Sequence, residues 1–126
     1  MSSFSLDISF HATRMVPLSD MCKYKLSGKD TYIRSITLRS KLEDATIMCT
    51  FEYDLSSLPM EPLSIGKDPV ELPIPSNLRH IRKGHKWVYL KIDAVGESVK
   101  KPSESPLEFT ISVCMEPSSD SPCEKN

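Results

Sequence analysis

The residues most able to do chemistry in this chain of 126 residues are its cysteines and histidines. Zinc sites usually draw on pairs of cysteines only a few residues apart, but the closest cysteines here are nine residues apart. The histidines at 80 and 85 also lack the spacing of a ligand pair. We therefore expect no metal and no cofactor. The four cysteines are Cys22, Cys49, Cys114 and Cys123.

Nucleophilic and acid–base catalysis is not predicted either. His11 falls on the polar side of an alternating segment, and Glu43 and Asp44 are adjacent carboxylates in a turn, where solvated side chains are the ordinary case. The sequence has no Gly-x-Ser-x-Gly motif. Neither Gly28-Lys29 nor Gly66-Lys67 has the earlier glycine of a phosphate-binding loop. We predict that the protein is not an enzyme and has no small-molecule substrate.

The distribution of charge is the most informative feature of the sequence. The formal net charge is only −1, which excludes a uniformly basic nucleic-acid-binding protein. Along the chain, however, residues 21–42 carry a net charge of +5, residues 43–71 carry −6, residues 72–96 carry +4 and residues 97–126 carry −3. The near-zero total therefore comes from cancellation between segments of opposite sign.

The densest positive segment covers residues 79–87, with four positive charges and two histidines. Such a segment can bind the phosphates of anionic lipid or of nucleic acid, each cation adding about 1 kcal/mol to the attraction by a lipid surface. The alternative is a loop of solvated charges between two strands. If basic residues of 21–42 lie on the same surface, the patch becomes large enough to matter. The candidate anion-binding residues are Arg79, His80, Arg82, Lys83, His85, Lys86, Lys23, Lys25 and Arg34.

A proline-rich acidic segment is a candidate surface for self-association. Residues 54–75 contain five prolines, so neither a helix nor a central strand can pass through them. Within them, residues 60–65 form an apolar, stiffened segment that would lose little entropy on binding. We expect a homo-oligomer in which the acidic segment of one copy meets the basic segment of another, head to tail. The residues predicted to make this contact are Met60, Leu63 and Ile65.

Alternation of apolar and polar residues predicts the strands that carry these segments. It runs over residues 4–10, 31–39, 45–53, 87–95 and 107–115, with a short edge strand at 70–74 and one or two helical turns within 18–26. Each strand has one apolar face, which favours antiparallel sheets. The predicted fold is all-β or β-dominated α+β, a single antiparallel β-sandwich-like domain of five to six strands with one short helix. It covers residues 1–116, and residues 117–126 are expected to form a disordered acidic Ser/Pro tail.

Three details of these strands are specific enough to test against a structure. Pro17 is expected to close the first strand. Tyr32 is expected on the apolar face of the second strand, with Arg34 breaking the alternation. Cys49 and Cys114 are expected on apolar strand faces, where a buried thiol acts as a small hydrophobic group.

Targeting signals are absent from the sequence. No apolar run approaches the roughly 18 residues of a membrane span, and the first residues alternate instead of forming the apolar core of a signal peptide. An even number of cysteines would suit disulfides in a secreted domain, but the lack of a signal peptide favours reduced thiols. We expect an intracellular protein that is not secreted and has no transmembrane segment.

Three parts of the sequence, taken in order, resemble the small matrix proteins of non-segmented negative-strand RNA viruses, the rhabdovirus type especially. They are Phe4–Phe10 with Arg14 and Ser19-Asp20-Met21, then Tyr24 through Arg34, and finally Leu72–Pro75 with the basic Leu78–Lys86 and a strand ending at Val113. The resemblance implies a β-rich domain that self-associates, binds anionic inner-membrane lipid and contacts a ribonucleoprotein, in the host cytoplasm and the virion. The sequence departs from this family in having no long basic amino-terminal extension, no Pro-Pro-x-Tyr motif and no basic net charge.

Charge and resemblance together predict a non-enzymatic structural protein that self-associates and binds anionic membrane or ribonucleoprotein through its basic segments. Two other functions stay open. One is an intracellular β-sandwich adaptor that binds a protein partner through the proline-rich loop or a sheet edge. The other is an RNA-binding viral movement or silencing-suppressor protein, which would bind RNA without binding lipid.

Overall fold

The regular secondary structure of the described residues is almost entirely β-strand, as the alternating pattern predicts. The computed structural model describes residues 2–18, 31–53, 56–81 and 88–117. Two short 3-10 turns, Ser76–Leu78 and Gly96–Ser98, interrupt the strands. In chain order the strands are β1 (Ser2–Phe10), β2 (Thr13–Pro17), β3 (Thr31–Ser40), β4 (Ala45–Tyr53), β5 (Ser56–Pro59), β6 (Leu63–Ile65), β7 (Val70–Glu71), β8 (His80–Ile81), β9 (Val88–Ala94) and β10 (Leu107–Pro117).

The strands form two antiparallel sheets. Sheet A has the order β1-β10-β3-β7, with β8 also pairing with β3, and sheet B has the order β2-β9-β4-β5, with β6 also pairing with β4. Because β7 and β8 share one edge of sheet A, and β5 and β6 share one edge of sheet B, each five-stranded sheet has four strand positions. The chain passes back and forth between the sheets in the order of a jelly roll. The predicted antiparallel β-sandwich is confirmed.

The inner faces of the two sheets make one hydrophobic core. The predicted apolar faces point into it: every second residue is buried from Val88 to Ala94 in β9 and from Leu107 to Met115 in β10. Phe109 is 0% exposed, and its ring stacks on that of Phe10 with centroids 5.6 Å apart. Burial of one such large apolar side chain stabilises the fold by about 1.5–3 kcal/mol.

The first predicted strand, residues 4–10, is confirmed as β1, but the residues that lead to Pro17 form a second strand in the other sheet. β1 ends at Phe10, and the chain turns a corner at His11 and Ala12 before β2 begins. The corner is fixed by backbone hydrogen bonds, since Ala94 N donates to Ala12 O at 2.8 Å and Lys100 N donates to His11 O at 3.0 Å. The prediction that Pro17 closes the first strand was therefore wrong, because Pro17 ends β2 in sheet B.

A β-bulge in β3 explains why Arg34 breaks the alternation. Cys114 of β10 pairs with Ser35, but the next residue, Met115, pairs with Ile33, so that Arg34 is the extra residue between them. A bulge of this kind reverses which alternate residues face the core. Ile33 is therefore buried and Tyr32 is only half-buried on the other face. The prediction for Tyr32 was wrong because it assumed an unbroken period of two.

The two cysteines that the structure describes have different environments. Cys49 is buried in β4, as predicted, and burial raises the pKa of its thiol to about 12. Cys114 is half-buried, and its neighbours Val113 and Met115 are both buried. Because successive residues of a strand point to opposite faces, Cys114 lies on the outer face of sheet A, and the prediction of an apolar face was wrong.

The remaining differences concern short elements. The structure has more strands than the five to six predicted, because β2 is an additional edge strand and because one edge of each sheet is divided into two short strands. The edge strand predicted at 70–74 is confirmed over Val70–Glu71. The predicted helix falls on residues 19–26 after Leu18, and residues 118–126 hold most of the predicted tail; both lie outside the described residues, whereas Pro117 belongs to β10.

Candidate functional site

The two basic segments of the sequence join the fold at adjacent points of sheet A. Thr31, the first residue of β3, is fully buried and pairs with Ile81, the last residue of β8. On its other side Thr31 pairs with Pro117, the last residue of β10. Opposed residues in an antiparallel pair have Cα atoms about 5 Å apart. The connections that hold residues 19–30 and 82–87 therefore attach within one strand spacing of each other.

Most of the basic residues singled out from the sequence belong to those two connections. They lie outside the described residues, so the structure gives their points of attachment and nothing further. These residues are Lys23, Lys25, Arg82, Lys83, His85 and Lys86. The other three, Arg34, Arg79 and His80, are described and lie close to the paired residues Thr31 and Ile81.

Arg79 uses its side chain to hold the backbone of this end of the fold. Its Nη1 donates to Ile33 O at 3.1 Å and to Arg34 O at 2.5 Å, and its Nε donates to Ile74 O at 3.2 Å. Its carbonyl oxygen in turn accepts a hydrogen bond from Ile33 N at 2.7 Å. The guanidinium therefore clamps the bulge of β3 to the segment before β8, a structural role that sequence reasoning missed.

Arg34 is the exposed cation of the described part of this end. The bulge places its side chain outward, 53% exposed, with its Nη1 at 3.5 Å from Glu116 Oε2. The Glu116 side chain is 28% exposed. Exposed pairs of this kind contribute at most about 1 kcal/mol, so an incoming phosphate can compete with Glu116 for Arg34.

His80 packs against an aromatic ring instead of standing alone in solvent. Tyr32 and His80 face each other across the β3–β8 pair, and their rings meet edge to face with centroids 4.9 Å apart. Sequence reasoning could not find this contact, because the bulge that turns Tyr32 outward is visible only in the register of β3 with β10.

The same end of the molecule also includes sheet B. Tyr53, the last residue of β4, donates its hydroxyl to Leu78 O at 2.6 Å, beside Arg79. Tyr53 pairs with Val88, the first residue of β9. The connection of residues 82–87 therefore crosses from sheet A to sheet B at this end. We call this end, defined by Thr31, Ile81 and Val88, the basic end.

The residues predicted for self-association lie on sheet B, at or toward its other end. Ile65 pairs with Ala45 at the start of β4 and is 1% exposed, so its side chain is part of the core and is not presented to a partner. Met60 and Leu63 are half-buried and pack against the core. Of the three residues, only Met60 and Leu63 offer surface for a contact.

The histidine, cysteine and acidic side chains of the described residues do not cluster around a common point. Within the part of the chain that the structure describes, no group of three or more histidine, cysteine, aspartate or glutamate side chains is placed to hold a metal ion. Burial keeps the Cys49 thiol protonated. Among those same residues, no helical segment has the length and apolar character that a membrane crossing requires.

Comparisons with known proteins find structural similarity to a chain of viral origin. No family model matches the chain, and no curated protein matches it. Among solved structures, a chain of Desmodium yellow mottle tymovirus matches with a TM-score of 0.46 and 10% sequence identity, over 95% of this chain and 90% of that chain. The resemblance to rhabdovirus matrix proteins stays a prediction.

Proposed function

We propose that this is a non-enzymatic structural protein that self-associates and binds a phosphate-bearing surface, an anionic membrane or a ribonucleoprotein, through its basic end, as a small viral matrix protein would. The observation that carries the proposal is the pairing of Thr31 with Ile81. It attaches both basic connections to neighbouring strands, which is the adjacency that a single binding surface needs.

The strand order is compatible with this function. Jelly rolls occur in viral capsid proteins, and also in lectins and cupins. A fold of this kind hosts several functions, so the argument for binding depends on the charge at the basic end. There Arg34 supplies an exposed cation, while Arg79 supplies its charge and holds the backbone.

The electrostatic half of the proposal is tested with vesicles. We expect vesicles of phosphatidylcholine and phosphatidylserine to bind the protein, with affinity falling as NaCl rises from about 50 to about 500 mM. The double variant Arg82→Gln/Lys83→Gln should bind about 10- to 30-fold more weakly, because each cation near a lipid surface contributes about 1 kcal/mol.

The matched control for this variant is Lys67→Gln/Lys101→Gln. It removes the same charge from two exposed lysines that lie away from the basic end, and it should change vesicle affinity by less than about twofold. Equal losses in the two double variants would show that net charge alone acts, and would contradict a binding surface at the basic end.

A single-stranded RNA of arbitrary sequence, measured over the same salt series, separates the alternatives. RNA binding without vesicle binding would replace this proposal with the movement or silencing-suppressor function. Absence of binding to both, at low salt, would overturn the electrostatic half and leave the adaptor function as the better account.

A further inference from the structure

The four edges of the two sheets are not equally protected against pairing with another strand. Short strands, prolines and interruptions are the usual protection of a sheet edge. β2 has five residues and ends in Pro17, the β5–β6 edge includes Pro59 and an interruption, and β7 and β8 have two residues each. β1 alone is long, with nine residues, and has no proline or bulge.

The direction of the backbone groups on the outer side of β1 follows from one contact. Arg14 Nη1 donates to Ser9 O at 3.3 Å, so this carbonyl points away from β10, toward the open side. In a strand the N–H and C=O of one residue point to the same side, and successive residues alternate. The backbone groups of Ser3, Ser5 and Asp7 therefore point to the open side, where no strand among the described residues pairs with β1.

The inner-face side chains of β1 differ in how deeply they are buried. Ile8 and Phe10 are 2% and 5% exposed, whereas Phe4 and Leu6 on the same inner face are only half-buried. The apolar side chains that keep partial exposure thus lie in the half of the strand that is away from the Arg14 contact. An added strand along this half would bury both side chains.

The sequence of β1 complements itself in one antiparallel register. When Ser5 of one copy faces Ser5 of another, each Ser3 faces Asp7 and each Phe4 faces Leu6 of the other copy. Every pair is then compatible, since hydroxyl faces hydroxyl or carboxylate and apolar faces apolar. A register centred on Asp7 would instead oppose two carboxylates, and one centred on Leu6 would need the Ser9 carbonyl that Arg14 occupies.

We propose that two copies of this chain pair through the open edge of β1, antiparallel and centred on Ser5, so that sheet A of one copy continues into sheet A of the other. Three opposed pairs of residues, each with two backbone hydrogen bonds, give six such bonds across the contact. The contact is isologous and closes after two copies. It deepens the proposed function, because it names a surface for the self-association on which that function rests.

Substitution at the centre of the contact is the sharpest test. In Ser5→Asp, the two-fold axis places the new carboxylate of one chain opposite the new carboxylate of the other chain, and near Asp7 of that chain. We expect the dissociation constant of the dimer, measured by sedimentation equilibrium, to rise about tenfold or more.

The matched control is Ser112→Asp. Ser112 lies beside Ser5 on the outer face, and their hydroxyl oxygens are 2.9 Å apart. This variant loses the same hydrogen bond and gains the same charge one strand inward, so the dimer should weaken by less than about threefold. Equal weakening in both variants would place the contact on the face of the sheet and overturn the edge pairing.

Charge complementation provides an independent measurement. Because the axis puts residue 5 opposite itself, a mixture of Ser5→Asp and Ser5→Lys should form heterodimers about as tight as the wild-type dimer. Amide exchange at Ser5 and Asp7 should also slow with protein concentration in the wild type and not in Ser5→Asp. A mixture that stays monomeric, or a wild type monomeric at every concentration, would overturn the proposal.

The failures of the two proposals are distinguishable. A monomeric wild type that still binds anionic vesicles in a salt-sensitive way would overturn the β1 pairing and leave the proposed binding function. A dimer that depends on Ser5 but binds neither vesicles nor RNA would support the pairing and overturn the electrostatic half of the proposed function.

Discussion

Replacement of Arg79 by methionine should destabilise the protein by about 2–3 kcal/mol. The substitution keeps most of the apolar stem and removes the donations to the carbonyls of Ile33, Arg34 and Ile74. A hydrogen bond from a charged group contributes about 1.5–3 kcal/mol when its partner is buried. Two of the three hydrogen bonds here are part-buried and one is exposed. Water can therefore replace some of these hydrogen bonds in the variant, which reduces the expected loss of stability to about 2–3 kcal/mol.

The assay is urea denaturation of the wild type and Arg79→Met, with thermal unfolding as a second measure. A loss of this size corresponds to a fall in Tm of about 10 °C for a domain of this length. Arg34→Met is the control, because it removes a neighbouring arginine whose pair with Glu116 is exposed and contributes at most about 1 kcal/mol. If the two variants lost equal stability, or if Arg79→Met lost less than about 1 kcal/mol, the clamp would be refuted.

Three further predictions concern other parts of the fold. With the other three cysteines replaced by serine, Cys49 should stay unreactive to a disulfide reagent at about pH 8 until urea unfolds the chain, since burial raises its pKa to about 12. Hydrogen bonds from Thr110 and Lys41 hold the pKa of Asp7 below its ordinary value, so the stability they add is present at neutral pH and is lost as the pH falls through the folded-state pKa. Asp7→Asn should therefore show a shallower loss of stability below about pH 4 than the wild type, measured by denaturation at each pH, and an equal slope would contradict the assignment. Gly96 has a φ of 63° and open space where a Cβ would stand, so Gly96→Ala should cost about 1 kcal/mol through backbone strain alone and Gly96→Asn less, by urea denaturation.

Sequence alternation predicts a strand correctly when one face of that strand is buried along its whole length. β4, β9 and β10 were predicted with their buried faces because each crosses the core without a bend in the alternation. The strand after the corner, β2, was missed because Thr13–Pro17 does not alternate: its first three residues are exposed and only Val16 is fully buried. In the sequence, the bulge at Arg34 is visible only as a break in the alternation of β3. It can be identified as a bulge only from the pairing of β3 with β10.

In the candidate site, too, features set by neighbouring residues were predicted from the sequence, whereas contacts between residues far apart in the chain were not. The basic composition of residues 79–87 is local and was read directly from the sequence. The clamp made by Arg79 depends on carbonyls of Ile33 and Arg34, more than forty residues earlier in the chain. The pairing of Thr31 with Ile81 spans a similar distance. Sequence periodicity carries no information on such contacts.

The position of β10 between β1 and β3 has a consequence for biosynthesis. Phe10 pairs with Leu107 and Ser2 pairs with Met115, so β1 has no neighbour among the described strands of sheet A until nearly a hundred further residues have been made. At ribosomal rates of about 5–20 residues per second, that interval lasts roughly 5–20 s. Pairings between such distant parts of a chain also form slowly after synthesis.

During that interval both edges of β1 are open on the nascent chain. Neighbouring ribosomes on one messenger RNA would hold several copies of β1 in this state close together, which favours pairing between chains before each has completed its own sheet A. Of the described strands, β1 leaves the ribosome first and waits longest for its partner in the sheet. Chaperone protection of residues 2–10 during translation would therefore raise the yield of folded protein.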